Sequence, residues 1–148
     1  MLRIQLICVG KLKERFYAAA CDEYDKRLQR YCALERVELP ETGDLERDAA
    51  AILGKIPAGS FVVALCVEGK LFSSEELAAL LSEQALQGRS RVSFVIGASD
   101  GLSDTVKRAA DVRLSMSRMT FPHHLARVMV LEQLYRAEAI QAGSKYHK

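Results

Sequence analysis

Ser99 stands within Gly97-Ala98-Ser99-Asp100-Gly101, a G-x-S-x-G pentapeptide that follows an apolar run ending at Ile96. A nucleophile elbow uses this spacing to lift a serine hydroxyl out of a strand-to-helix turn. A hydrolase built on it would recruit Asp104 or Asp111 and then His123, His124 or His147, in chain order. The chain is short for that fold, and no H-G-G-G element precedes the serine to supply a second oxyanion donor. A short glycine-turn motif also arises easily without catalytic meaning. The same glycines equally describe a loop that closes its backbone around a ligand.

Other chemistries find less support. A dinucleotide site needs G-x-G-x-x-G after the first strand, whereas here that strand runs into G-K-L-K-E, and no Walker sequence occurs. Adjacent His123 and His124 point apart on a helix and no H-x-x-x-H is present, so no metal site is expected. Cys8, Cys21, Cys32 and Cys66 show no C-x-x-C spacing, which predicts buried free thiols in a reducing cytoplasmic setting. Three segments remain: Leu65 to Gly69, Gly97 to Gly101, and Leu114 to Pro122 (L-S-M-S-R-M-T-F-P). If the runs before them are parallel strands, these segments share the carboxyl edge of one sheet, where open α/β sheets bind ligands. Serine, threonine and backbone groups beside methionine thioethers suit a nucleoside-like molecule.

The elements that must hold those loops alternate in type, which predicts an α/β fold with a mainly parallel sheet flanked by helices. Strands are expected at Leu2 to Val9, Leu34 to Leu39, Ser60 to Val67, Arg91 to Ile96 and Val112 to Met116. Helices are expected from about Glu14 to Tyr31, from an Asp44 cap to about Lys55, from Ser73 or Ser74, from about Ser103, and from Pro122 to Ala142. The last helix carries two apolar sides: Val128, Leu131, Tyr135 and Ala139 on one, Met129, Val130, Leu134, Ala137 and Ile140 on the other. Two such sides predict burial against the sheet and, most simply, against the same helix of a second subunit, the alternative being a helix sandwiched within its own domain.

At 148 residues and 49% hydrophobic content, a single domain with its own core is expected. Met1 to Gly10 is too short an apolar run for a signal peptide, and no stretch has the length of a membrane span, so a cytoplasmic protein without membrane association is expected. The net charge of +2 excludes little by itself. Its distribution is uneven, because Arg113, Arg118, Arg127, Arg136, Lys145 and Lys148 face only Glu132 and Glu138 in the C-terminal quarter. That end is the one suited to a polyanion.

The segments L-C-V-E-G-K, F-V-I-G-A-S-D-G-L-S, L-S-M-S-R-M-T-F-P-H-H-L-A-R-V and L-E-Q-L-Y-R-A-E-A-I, with the terminal Y-H-K, resemble the ribosomal RNA large subunit methyltransferase H family. The resemblance spans nearly the whole chain. It implies a SPOUT-class methyltransferase that methylates N3 of a pseudouridine in 23S rRNA, with a C-terminal trefoil knot. It also implies a homodimer, S-adenosylmethionine as methyl donor, no metal, and rRNA within an assembled ribosome as substrate.

Carried across by position, the cofactor contacts fall on Leu65, Gly97, Met116, Ser117, Arg118, Met119, Thr120 and Phe121. On the acceptor side, His147 has an intrinsic pKa suited to taking the N3 proton and Tyr146 suits base stacking. Arg127 and Arg136 are candidate phosphate contacts, although Glu132 lies one helical turn before Arg136. Two positions depart from the family pattern: Ala98 replaces the second glycine of I-G-G-x-x-G, and Lys145 replaces a proline before Y-H. The alternative, from another functional class, is a non-catalytic RNA-binding or ribosome-associated factor that keeps the fold. Under either reading Ser99 is not a nucleophile.

Overall fold

The computed structural model describes residues 1–148. In chain order it contains β1 (Arg3–Val9), α1 (Arg15–Leu28), β2 (Ala33–Leu39), α2 (Leu45–Lys55), β3 (Phe61–Leu71) and α3 (Ser74–Leu86). After these come β4 (Arg91–Ile96), α4 (Asp104–Ala109), β5 (Val112–Ser115) and α5 (His123–Gln141). The strands form one sheet in the order β2-β1-β4-β3-β5, and every pairing is parallel.

Alternation along the strands explains the layers. Ile4, Leu6 and Cys8 of β1 face the same way as Val92, Phe94 and Ile96 of β4, where they meet Leu28, Leu77, Leu81, Leu131 and Leu134 from α1, α3 and α5. Ile7, Val9, Val62, Ala64 and Val95 point to the other face, against Ala49 and Ile52 of α2 and Val106 of α4. Strands covered on both faces carry apolar-rich runs, as β3 from Phe61 to Ala64 and β4 from Val92 to Ile96 do. Helix starts follow their caps: Asp44 accepts from the Glu46 and Arg47 amides at 3.0 and 3.2 Å. Ser73 and Glu76 form a reciprocal capping box. Such caps are each worth about 1 kcal/mol.

β3 runs to Leu71, four residues past the expected end at Val67. Its first half pairs with β4 on one side, and from Val63 onward the strand pairs with β5 on the other, with a register shift in which Leu65 and Lys70 both face Leu114. Gly69 permits this approach, because a Cβ there would lie 2.7 Å from the Arg113 carbonyl oxygen. The residues displaced by the shift, Cys66 to Glu68, project toward the carboxyl edge.

α5 corrects one inference. It lies between α1 and α3, and no residue from His123 to Ile140 is exposed in the chain by itself. Tyr135 packs against Tyr24 and Tyr31, with ring centroids 6.3 and 5.9 Å away, and Gln133 accepts from Ser74 at 2.6 Å. Neighbours in the same chain thus cover both apolar sides, so the two-sided pattern does not itself require a second subunit. No helix is long and apolar enough to cross a membrane.

Candidate functional site

The loops after β3, β4 and β5 converge on a cleft of about 310 Å³ at the carboxyl edge of the sheet. Leu65, Ile96, Leu102, Leu114, Met116 and Phe121 give it apolar walls. Gly97, Ser117, Met119 and Thr120 also line it, so seven of the eight positions expected to hold the cofactor come together here. Arg118 does not, since its side chain is exposed and lies outside the lining.

The geometry of the β4 loop rests on its glycines. Gly101 adopts φ +78°, and its amide donates to the Ala98 carbonyl at 2.9 Å. This turn folds the Gly101 backbone directly over Gly97, and a Cβ at Gly97 would overlap the Gly101 carbonyl group. Glycine at 97 is therefore required by backbone packing, which in turn shapes the cleft. Ala98 raises no such difficulty: no residue other than glycine has a positive φ, and its methyl is buried. The loop after β5 is ordered by two short bonds, Ser115 Oγ donating to the Ser117 carbonyl at 2.8 Å and the Met119 amide donating to Ser117 Oγ at 3.0 Å.

Ser99 and His123 both line the cleft, but no hydrogen bond joins the serine to a histidine. His124 meets Glu14 at 3.0 Å and His147 meets Arg136 and Glu75, while Asp111 accepts from the Val62 amide at 2.8 Å. With three of the candidates committed elsewhere and no hydrogen bond from Ser99 to His123, the linked serine–histidine–carboxylate chain of a triad is not formed. Ser99→Ala is accordingly expected to change the methyl transfer implied by the family resemblance by no more than a few-fold. A loss of about a thousand-fold, the scale for removing a covalent nucleophile, would contradict this.

Of the two candidate phosphate-binding arginines, Arg127 does not fit that role. It is 3% exposed and donates to Glu38 at 2.7 Å and to the carbonyls of Val9 and Gly10 at 3.2 and 2.6 Å. Burial and these bonds leave no face for a phosphate. Arg136 pairs with Glu132 at 2.7 Å and lies 4.7 Å from the centre of the Tyr146 ring.

The tail folds back on its own chain. Tyr146 donates from its hydroxyl to Glu132 at 2.8 Å and packs edge-on to Tyr135 at 4.7 Å. His147 lies between Arg136, 3.1 Å from Nδ1, and Glu75, 2.5 Å from Nε2. Burial and the bond to Glu132 push the Tyr146 phenol far above its ordinary value, so it is no base near neutrality. The hydrogen bond from His147 holds the Glu75 carboxyl below its usual range. None of Arg136, Tyr146 or His147 lines the cleft of the same chain.

Several cleft residues had no readable signal. Lys107 reaches Glu68 at 2.5 Å across 39 positions of sequence, and such a pairing exists only once β3 and α4 are placed. Cys66 and His123 also line the cleft, and burial lowers the His123 pKa. Cys66 is half-buried, whereas Cys8, Cys21 and Cys32 are buried, with burial pushing Cys8 and Cys32 up to about 12. Native-state titration with a disulfide reagent is expected to modify Cys66 first and the other three only on unfolding. Two or more thiols reacting at comparable rates would contradict this burial pattern.

Known proteins agree with this arrangement. Residues 2–147 match the family described as "Predicted SPOUT methyltransferase". Ribosomal RNA large subunit methyltransferase H of Clostridioides difficile (strain 630) is 46% identical over 159 residues, covering 99% of this chain and 100% of that protein. The protein of the same name from Clostridium novyi (strain NT) is also 46% identical, with the same coverage. Among solved structures, a methylase family protein of Haemophilus influenzae Rd KW20 gives a TM-score of 0.55 at 15% identity, covering 99% of this chain and 70% of that one. A methyltransferase of Legionella pneumophila, solved in complex with SAM, gives 0.51 at 11% identity, covering 97% and 67%. The structural likenesses show the fold alone, but the full-length match in sequence goes further: the chain belongs to the ribosomal RNA large subunit methyltransferase H family of SPOUT methyltransferases.

Proposed function

We propose that this rRNA methyltransferase transfers a methyl group from S-adenosylmethionine to N3 of a pseudouridine in 23S rRNA. It acts in the cytoplasm as a homodimer on an assembled ribosome. The observation that carries the reading is the cleft itself, a concave apolar chamber at the carboxyl edge built from three loops of the expected composition. Its volume lies at the lower end of the range for small-molecule sites.

The residues present fit the methyl donor. Leu65, Met116 and Phe121 offer apolar and thioether surface for a purine, and the backbone from Met116 to Phe121 offers polar groups for its edge. The Lys107–Glu68 pair, with Lys107 and Glu68 both at the lining, supplies opposite charges suited to an amino-acid head group. When bound, S-adenosylmethionine supplies a methyl group on a positively charged sulfur, open to direct displacement. The chain's task is to orient the acceptor nitrogen, exclude water and deal with the N3 proton.

His147 and Arg136 are the groups for that last task. In the docked tail both imidazole nitrogens are engaged, so accepting the N3 proton requires His147 to leave Glu75 or Arg136. Arg136 remains cationic and stabilises the nucleobase as it loses its proton. Tyr146 stacks on or hydrogen-bonds the base. Because the tail lies outside the cleft of its own chain, the complete site combines the cleft of one subunit with the tail of its partner.

The chain path after β5 is assigned to the trefoil knot. β5 occupies the sheet edge beside β3, yet α5 returns to the middle of one face between α1 and α3. This is a departure from the general rule against threading.

A radiolabelled methyl-transfer assay on free rRNA, 50S subunits and 70S ribosomes from a strain lacking the enzyme tests the function. Label is expected in 23S rRNA of the ribosomal particles, at N3 of a pseudouridine by mass spectrometry. Binding of S-adenosylmethionine without transfer to any of the three would favour a non-catalytic factor. Occupancy of the cleft is also expected to slow modification of Cys66, and an unchanged rate would place the cofactor elsewhere.

A further inference from the structure

A fourth loop on the carboxyl edge belongs to neither the cleft nor the tail. Gly10 to Glu14 leaves β1, which pairs with β4, and leads into α1. Lys11 and Lys13 on it and Arg15 at the start of α1 are exposed, and none of the ion pairs in the chain uses them. Beside them Phe16 is 67% exposed, an uncommon setting for a large aromatic ring.

This segment is fastened firmly. The Leu12 amide donates to Glu38 Oε2 at 3.0 Å, and Arg127 donates to that same oxygen and to the Gly10 carbonyl. Glu14 is held by His124. Glu38 is therefore paired with Arg127 and Glu14 is hydrogen-bonded to His124, so neither of these carboxylates forms an ion pair with Lys11, Lys13 or Arg15. Arg127, buried and unable to touch a phosphate, instead holds the loop that presents three residues able to do so.

The patch also connects to the cleft. Phe16 packs on Tyr17 at 4.4 Å, Tyr17 meets His124 edge-on at 6.5 Å, and His124 meets His123 at 4.1 Å. His123 lines the cleft. A row of rings thus leads from an exposed phenylalanine to the chamber. Sequence-specific RNA recognition works on unpaired loops, with cations on phosphates and bases stacked on aromatic rings.

We propose that Lys11, Lys13, Arg15 and Phe16 form an RNA-contacting lip of the cleft. The cations seat on the phosphates of an unpaired rRNA loop, and Phe16 stacks on a base neighbouring the one that enters. The assignment rests on the rRNA methyltransferase reading above.

The test uses the full-length protein and 70S ribosomes from a strain lacking the enzyme, with binding measured from 50 to 200 mM KCl. Replacing all three cations (Lys11→Gln, Lys13→Gln, Arg15→Gln) is expected to reduce the slope of log K against log salt by about two, at roughly 0.7 per phosphate contact on single strands. Phe16→Ala is expected to weaken ribosome binding about ten-fold at constant salt slope, within the range for one lost base stack. In both variants the loss should appear in KM for ribosomes, with S-adenosylmethionine affinity by calorimetry unchanged. Wild-type activity accompanied by unaltered slope and KM in the variants would overturn the lip alone. Loss of the dimer in Phe16→Ala would overturn it too, by making the patch a contact between subunits. A wild-type protein that binds S-adenosylmethionine but neither binds nor methylates ribosomes would overturn the rRNA reading and the lip with it.

Discussion

A chain ending at Lys145 is expected to lose methyl transfer to ribosomes by at least about a hundred-fold, the lower bound for removing an acid–base or charge-stabilising group. Its affinity for S-adenosylmethionine and the proposed dimer should persist. The reason is spatial. Tyr146 and His147 are fastened to Glu132, Arg136 and Glu75, away from the cleft of their own chain, so their removal leaves the cleft walls untouched. The Arg136–Glu132 pair also survives the truncation. Mixing the truncated chain with a Gly97→Val chain extends the test. A heterodimer then contains one intact cleft and one intact tail, on different subunits, and should recover activity if the tail acts across the interface. Verified heterodimers with no recovered activity would sink the shared site.

Gly97→Ala is expected to weaken S-adenosylmethionine binding by a factor on the order of a hundred, the scale of an ångström-sized displacement of a positioning loop. A single methyl suffices, and valine only adds to it. The added Cβ would lie 2.5 Å from the carbonyl carbon of Gly101, and the obstacle is main chain that cannot rotate aside. The turn must open, and with it the cleft wall from Gly97 to Leu102. Ala98→Gly is the control: it removes a buried methyl and should leave affinity within a few-fold. Calorimetry on both variants, with thermal melts to show that the sheet remains folded, decides the matter. Equal affinities would remove Gly97 from the cofactor loop.

Parts of this picture were open to reading and parts were not. The strand runs at Leu2 to Val9, Leu34 to Leu39 and Arg91 to Ile96 lie within a residue of β1, β2 and β4, because the interior strands β1 and β4 are rich in apolar residues and the edge strand β2 interleaves apolar with charged residues up to Pro40. Asp44 and Ser73 marked helix starts through local hydrogen bonding. The far end of β3 was missed because its pairing with β5 depends on Gly69 meeting Arg113, a contact invisible in either segment. Arg127 was misjudged for a related reason. An arginine in a basic quarter looks free until the carbonyls of Val9 and Gly10 are placed around it.

Sequence by itself determined the layered α/β arrangement, the loops that gather at one edge, and the family, since these follow from periodicity, caps and motifs that short stretches carry within themselves. Only the tertiary structure decided which charges are spent and which are free. It committed Arg127 to Glu38, Lys107 to Glu68 and His147 to Glu75, and it left Lys11, Lys13 and Arg15 facing solvent. The physical reason is that a charge is neutralised by what lies within a few ångströms of it in space, and partners separated here by 39 to 89 positions become neighbours only when the sheet is assembled.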